Sequence, residues 1–404
     1  MMADWSLLPK ELLEEIAKRL GSPFYLLRIR SVCSSWRSYI PPRPRRLPGR
    51  FPFLTNYGIS DSTLGFHLSK RTVFLIALPS SPHRWLVKIE EDVPGRTHLL
   101  NPLSRFAPRR LPESFPKVLD LSRFRILDLA EEFVLHHVNF RPLVNAAANL
   151  YMEKVVFMCL GDESSDYVLL TIHVSGELAL FKSVDKKWSI IHDMPSPYDD
   201  VILFRGEFYA VDGAGRTVRV ALEEMSPILA ANPVYGGDKK FLVESSGELL
   251  VVDMYLSTDQ ELDWEEEEEE VSQVQLDGCI YERTVKFKVY KVDEGGQKLV
   301  QMKSLGDRVL FLGDDCTFSA AASELSGCRG NCIYFTDNFF HTSGEEEGTF
   351  KGREIGVFDL DSGAITPLSD YPESMKLLWP PPEWVSRTAS QMQLVQTDFE
   401  RLAL

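Results

Sequence analysis

From residue 61 onward the apolar residues come in runs of five to eight, each closed by Gly, Asp, Ser or Pro. That texture restricts the fold to many short strands. The runs fall at 71–77, 84–89, 154–160, 167–174, 177–182, 187–191, 201–205, 207–211, 217–221, 248–255, 285–292, 308–312, 331–336 and 354–360. Turn chemistry joins several of them. Phe204-Arg205-Gly206-Glu207, Val211-Asp212-Gly213-Ala214-Gly215 and Asp359-Leu360-Asp361-Ser362-Gly363 place Gly where a hairpin needs positive φ. Many short strands fit a sandwich, a barrel or a propeller, and about 320 residues exceed one sandwich. Four strands per blade then predict an all-β propeller of about five to seven blades over residues 61–386. G-E-L-A-L-F-K-S-V-D-K-K-W-S-I-I from Gly176 is loosely echoed from Gly247 and Glu354, without a fixed period.

The first forty residues carry a different period. Leu12, Leu13, Ile16, Ala17 and Leu20 recur at helical spacing behind Pro9, with Lys10, Glu11, Glu14, Glu15 and Lys18 opposite. Gly21 ends that helix, and Ser22-Pro23 offers a cap and a first-turn proline for another. Ile29, Val32, Cys33, Trp36 and Ile40 make the stripe of a second amphipathic helix, stopped by Pro41-Pro42. So small a helical module, residues 3–41, cannot bury a sufficient core alone. Its stripes are expected to pack on each other and on a partner. Residues 41–52 then hold five prolines in twelve positions, a stiff spacer within a Pro/Arg-rich linker over 42–60.

The run L-P-x-E-L-L-x-x-I, followed by V-C-x-x-W-R, resembles an F-box. In that family the motif binds the Skp adaptor and, through it, the cullin of an SCF ubiquitin ligase. The positions that match the family's adaptor-facing residues are Leu8, Pro9, Leu12, Ile16, Val32, Cys33 and Trp36. Further on, residues 304–325 and 330–338, Asn101-Pro102-Leu103-Ser104 and residues 378–385 are similar to a plant F-box family. That family has a C-terminal domain of unknown function of the Kelch-like β-propeller kind. The resemblance implies a multidomain receptor, an all-α F-box followed by a propeller that holds a protein target. It supplies no target-binding residues. Sequence alone leaves a non-degradative scaffold as the alternative.

Charge and motifs narrow the remaining classes. The net charge is −15, with ten Lys/Arg against four Asp/Glu in the first fifty residues and 34 against 55 beyond. An acidic large domain argues against a nucleic-acid partner. No apolar run is long enough for a membrane span, and Asp4, Lys10 and Glu11 interrupt any leader. The six dispersed cysteines fit reduced thiols, so the expected compartment is the nucleus, the cytoplasm or both. Cys328 and Cys332 lack further ligands at zinc spacing, and the paired His136-His137 point to opposite faces of a strand. Asp199-Asp200 and Asp314-Asp315 read as solvated acids at turns. No nucleophile, phosphate or dinucleotide motif occurs, so no catalytic residue, cofactor or metal is expected. Residues 261–270, rich in Glu, read as a loop outside any core. Met392, Val395, Phe399 and Leu402 suggest a C-terminal helix over 387–404.

Overall fold

Ten residues, Lys10–Arg19, form helix α1, with Glu11 in its first turn and Lys18 and Arg19 in its last. Both placements oppose the partial charges at the helix ends. The structure, a computed structural model, describes residues 5, 8–20, 23–41, 65–79, 83–93, 96–103, 124–138, 154–161, 166–173, 175–257, 283–313, 316–336 and 355–378. The Gly21-Ser22 boundary, the linker at 42–60, Asp314-Asp315, the Glu run at 261–270 and the expected helix at 387–404 lie outside them.

Pro9 stands at the N-cap, one residue outside α1, with extended ψ of 143°. The expected second helix is in fact two, α2 (Pro23–Ser31) and α3 (Ser34–Tyr39). The break falls at Cys33, whose backbone is extended (φ −158°, ψ 172°) and whose Sγ accepts from the Trp36 N–H at 3.5 Å. A straight helix would carry Trp36 and Ile40 past the module. The break folds them back onto Leu13, Ala17 and Leu26, which form one buried cluster with them.

Beyond the helices the described strands form four sheets, and the first, of eight strands, divides at a single bridge, so that there are five strand groups. The first group comprises β1 (Gly65–Ala77), β2 (Arg84–Val93), β3 (Arg96–Leu100) and β4 (Arg125–Val138), ordered β3-β2-β1-β4. The second, ordered as in the chain, comprises β5 (Val155–Cys159), β6 (Tyr167–Ile172), β7 (Leu178–Lys182) and β8 (Lys187–Ile191). A single bridge, Phe133 to Val155, links it to β4. The third contains β9 (Tyr198–Phe204), β10 (Glu207–Asp212), β11 (Thr217–Ala221) and β12 (Ser226–Ala231). The fourth contains β13 (Lys239–Ser245), β14 (Glu248–Ser257), β15 (Arg283–Asp293) and β16 (Lys298–Met302). The fifth contains β17 (Arg308–Leu312), β18 (Thr317–Ala321), β19 (Cys332–Thr336), β20 (Ile355–Asp359) and β21 (Ile365–Pro367), with β17 and β19 parallel.

One edge strand of each group faces the next. β4 packs on β5, β5 on β9, β9 on β13, β13 on β18, and β18 returns to β4. The described residues thus close a ring of five blades, within the expected five to seven. Helix α4 (Pro372–Leu378) lies on β2, and its Leu377 and Leu378 join the core shared by the first and fifth blades. Polar groups tie the centre across four of the five inner strands. Lys154, just before β5, donates to Asp200 Oδ1 at 2.7 Å and to Thr317 Oγ1 at 3.4 Å. Thr317 donates to the Leu242 carbonyl at 2.6 Å, and the Leu242 N–H donates to Asp200 Oδ2 at 2.8 Å. That loop of bonds passes through blades two, three, four and five.

Candidate functional site

The helical module divides its apolar residues between an interior and an outer face. Leu13, Ala17, Leu26, Trp36 and Ile40 are inside. Trp36 is 8% exposed, and its indole N–H donates to the Trp5 carbonyl at 3.2 Å. The Arg30 guanidinium donates to the Ile40 carbonyl and so fixes the end of α3 against α2. On the outer face Leu12 is 52% exposed, Ile16 40% and Val32 57%. Pro9 is also in solvent, while Leu8 and Cys33 are half-buried against the module's core. Of the seven residues singled out in the sequence, three long or branched apolar side chains therefore lie open, and Trp36 supports them from within.

Two further exposed residues escaped the sequence reading. Leu27, 60% exposed, projects outward from α2, and Tyr39 stands open at the end of α3. The doublet Leu26-Leu27 was the available signal, because adjacent residues on a helix point about 100° apart and a module this small has core on only one side of α2. Apolar side chains open on all three helices, while their neighbours fill an interior, are the pattern of a surface built to be covered.

The ring offers no comparable chemistry. Asp199 and Asp200 are not solvated turn acids. Both lie in β9, with Asp200 buried among Lys154, the Val201 N–H and the Leu242 N–H. Burial pushes the Asp199 carboxyl up to about 6, even though Oδ2 accepts from the Lys240 N–H at 2.8 Å. Lys240 and Asp253, each almost wholly buried, pair at 2.7 Å, and burial again raises the Asp253 carboxyl. In the first blade Ser69, Glu90 and His136 converge. Ser69 Oγ donates to Glu90 Oε1 at 2.7 Å, and His136 Nε2 lies 2.9 Å from both oxygens. Because one imidazole nitrogen faces both partners, no hydroxyl-to-imidazole-to-carboxylate relay exists, and Ser69 is wholly buried.

Of the five described cysteines, Cys33, Cys159, Cys328 and Cys332 are free. Cys332 is buried in β19, and burial raises its thiol to about 11, the wrong direction for a thiolate ligand. Among the described residues no three His, Cys, Asp or Glu side chains are placed to hold a metal. The Asp359–Gly363 segment is a hairpin turn, with Asp359 Oδ1 accepting the N–H groups of Asp361 and Ser362. No described helix is long and apolar enough to cross a membrane.

Comparison with known proteins places these two parts. Residues 5–43 match the model of the F-box domain, and residues 64–359 match that of the KIB1-4 β-propeller. The chain is 46% identical over 402 residues to the F-box protein SKIP23 of Arabidopsis thaliana, covering 96% of this chain and 97% of that one. It is 36% identical over 415 residues to the F-box protein At2g17036 of the same plant, covering 97% of each.

Proposed function

The chain belongs to the plant F-box proteins that carry a KIB1-4 β-propeller, and we propose that it docks a Skp adaptor through its helices while the propeller holds a protein target for ubiquitin transfer. The F-box and propeller together support a substrate-receptor type role in an SCF ligase, and F-box proteins are typically non-catalytic adaptor subunits. The observation that carries the finer reading is the open row Leu12, Ile16 and Val32 on a module whose own core is already filled. In this reading those three make direct contact, Leu8, Pro9 and Cys33 border the contact, and Leu27 extends it. Trp36 acts by holding α1 and α3 together.

Each buried Leu or Ile contributes about 1.5–3 kcal/mol before the cost of association, so the open row supplies an anchor for the contact. The adaptor in turn brings a cullin. The chain's own contribution is proximity, which raises the local concentration of target lysines near the ubiquitin thioester. Co-purification tests this directly. Full-length protein and a form lacking residues 1–41 are each mixed with a Skp adaptor and cullin. A stoichiometric complex with the full-length chain alone is expected. Equal capture of both forms, or of neither, sinks the assignment.

A further inference from the structure

The first blade carries an apolar patch on the side away from the fifth blade. Phe74, Ile76, Trp85, Val87, Phe124 and Ile126 form it, and all six are buried. Among the described residues, the one apolar side chain from outside that blade packed on this cluster is Phe24 of α2. The Phe24 and Phe74 rings meet edge to face, with centroids 5.1 Å apart and planes at 78°, the geometry aromatic pairs prefer. One turn further along α2, Arg28 donates from its guanidinium to the Phe124 carbonyl. That guanidinium also lies over the Tyr25 ring, 5.4 Å from its centroid, which restricts it before the blade is reached. Phe24 and Arg28 sit at i and i+4, hence on one face of the helix. Leu26 points into the helical core and Leu27 into solvent. So α2 has three faces with three uses, and seating it on the blade leaves Leu12, Ile16, Leu27 and Val32 uncovered.

We propose that Phe24 and Arg28 are positioning residues: they seat the F-box on the first blade and hold the adaptor-facing and target-facing ends of the chain at one fixed angle. This rests on the receptor reading above for its purpose, though not for its test. A tether of the length of residues 42–64, even when stiffened by proline at about 3.1 Å per residue, reaches about 70 Å at full extension and by itself fixes neither the distance nor the angle between its ends. An arrangement that loose would spread the target's lysines over a volume far wider than the thioester can serve. A small contact suffices to prevent it, because the tether itself keeps the helix at high effective concentration near the blade.

The test is a distance distribution by pulsed electron resonance on the full chain without adaptor. Spin labels are carried on keto amino acids at Ser38 and Glu224, both exposed, so that the six native cysteines remain. The wild-type chain is expected to give one narrow distance. Phe24→Ala with Arg28→Gln is expected to widen it at least about twofold, toward the tether limit, with helix content, melting temperature and adaptor capture unchanged. Arg28→Gln alone touches neither core and is expected to widen the distribution part of the way. A broad wild-type distribution, or a narrow one in the double variant, overturns the proposal. Failure of the adaptor to bind would sink the receptor reading while leaving this measurement decisive.

Discussion

At the scale of single residues, exposure decides what a substitution does. Leu12→Ala and Val32→Ala remove side chains that stand in solvent, so the folded chain should be unchanged while adaptor affinity falls by about 2 kcal/mol, the hot-spot range. Titration calorimetry with the adaptor checks this, and unchanged affinity in both variants would remove these residues from the contact. Trp36→Ala acts differently. Losing a buried Trp costs about 3–5 kcal/mol, comparable to all that so small a core supplies, so loss of helical circular dichroism should accompany loss of binding. Helical periodicity made Leu12, Leu13, Ile16 and Ala17 legible as one apolar stripe. It could not say that Leu13 and Ala17 face the core while Leu12 and Ile16 face outward, because that depends on where α3 lands after its break. Two carboxylates give the propeller opposite responses to pH. Burial holds Asp199 up at about 6, so the folded state binds its proton more tightly than the unfolded chain does. Stability therefore falls as pH rises from about 4 through 6. Burial also pushes Glu90 upward, but hydrogen bonds from His136 and Ser69 and the charge of Arg71 outweigh it and hold that carboxyl at about 2. Its contribution is complete above about 4.5 and is lost as pH falls toward 2. Melting temperature against pH should show both limbs, with Asp199→Asn flattening the first and Glu90→Gln the second; a variant profile parallel to wild type refutes its assignment.

At the scale of the element, glycines separate conformational cost from crowding. Gly206 has φ of +80° beside Arg205 at +52°, the tight turn between β9 and β10, and a Cβ there would meet nothing within 4 Å. Gly206→Ala therefore costs about 1–2 kcal/mol, from the backbone alone. A Cβ on Gly356, in β20, would lie 2.4 Å from the ring of Phe335, its partner across the strands. Phe335 is buried against Phe287 and cannot move aside, so Gly356→Ala should cost about 1–3 kcal/mol of overpacking. Urea midpoints at constant slope measure both, and a Gly356→Ala midpoint at or above the wild-type value would refute the crowding. Strands Lys187–Ile191, Thr217–Ala221 and Arg308–Leu312 were legible to the residue, because short runs rich in β-branched, aromatic and leucine residues stand there between turn signals. The inner strands β4, β13 and β18 were not. β4 reads D-L-A-E-E-F-V, β13 begins Lys-Lys, and β18 is Thr-Phe-Ser-Ala-Ala. Close to the axis, small and hydrogen-bonding side chains replace the alternation on which strand reading depends, so three of the five strands that organise the ring left no pattern.

At the scale of the whole molecule, Asp200 is the acceptor on which three inner strands converge. Asp200→Ala leaves the half-buried Lys154 with Thr317 and removes the acceptor of the Leu242 N–H, and should cost about 1–3 kcal/mol. Because each blade packs on two neighbours, the loss should appear as one earlier transition for all blades, followed through Trp85 in the first and Trp188 in the second. Two separated transitions would mean that the blades melt independently. Closure of the ring also has a consequence in time. β4 finds its neighbour β18 only after the chain has advanced from Val138 to Thr317. At about 5–20 residues per second on the ribosome, that interval is roughly 10–35 s. Throughout it, the apolar face of the first blade that packs on the fifth, with Val73, Leu75 and Leu86, stays uncovered and prone to stray association, while the helices at residues 10–39 have long since emerged. The F-box is thus finished first during synthesis, and the propeller is finished last.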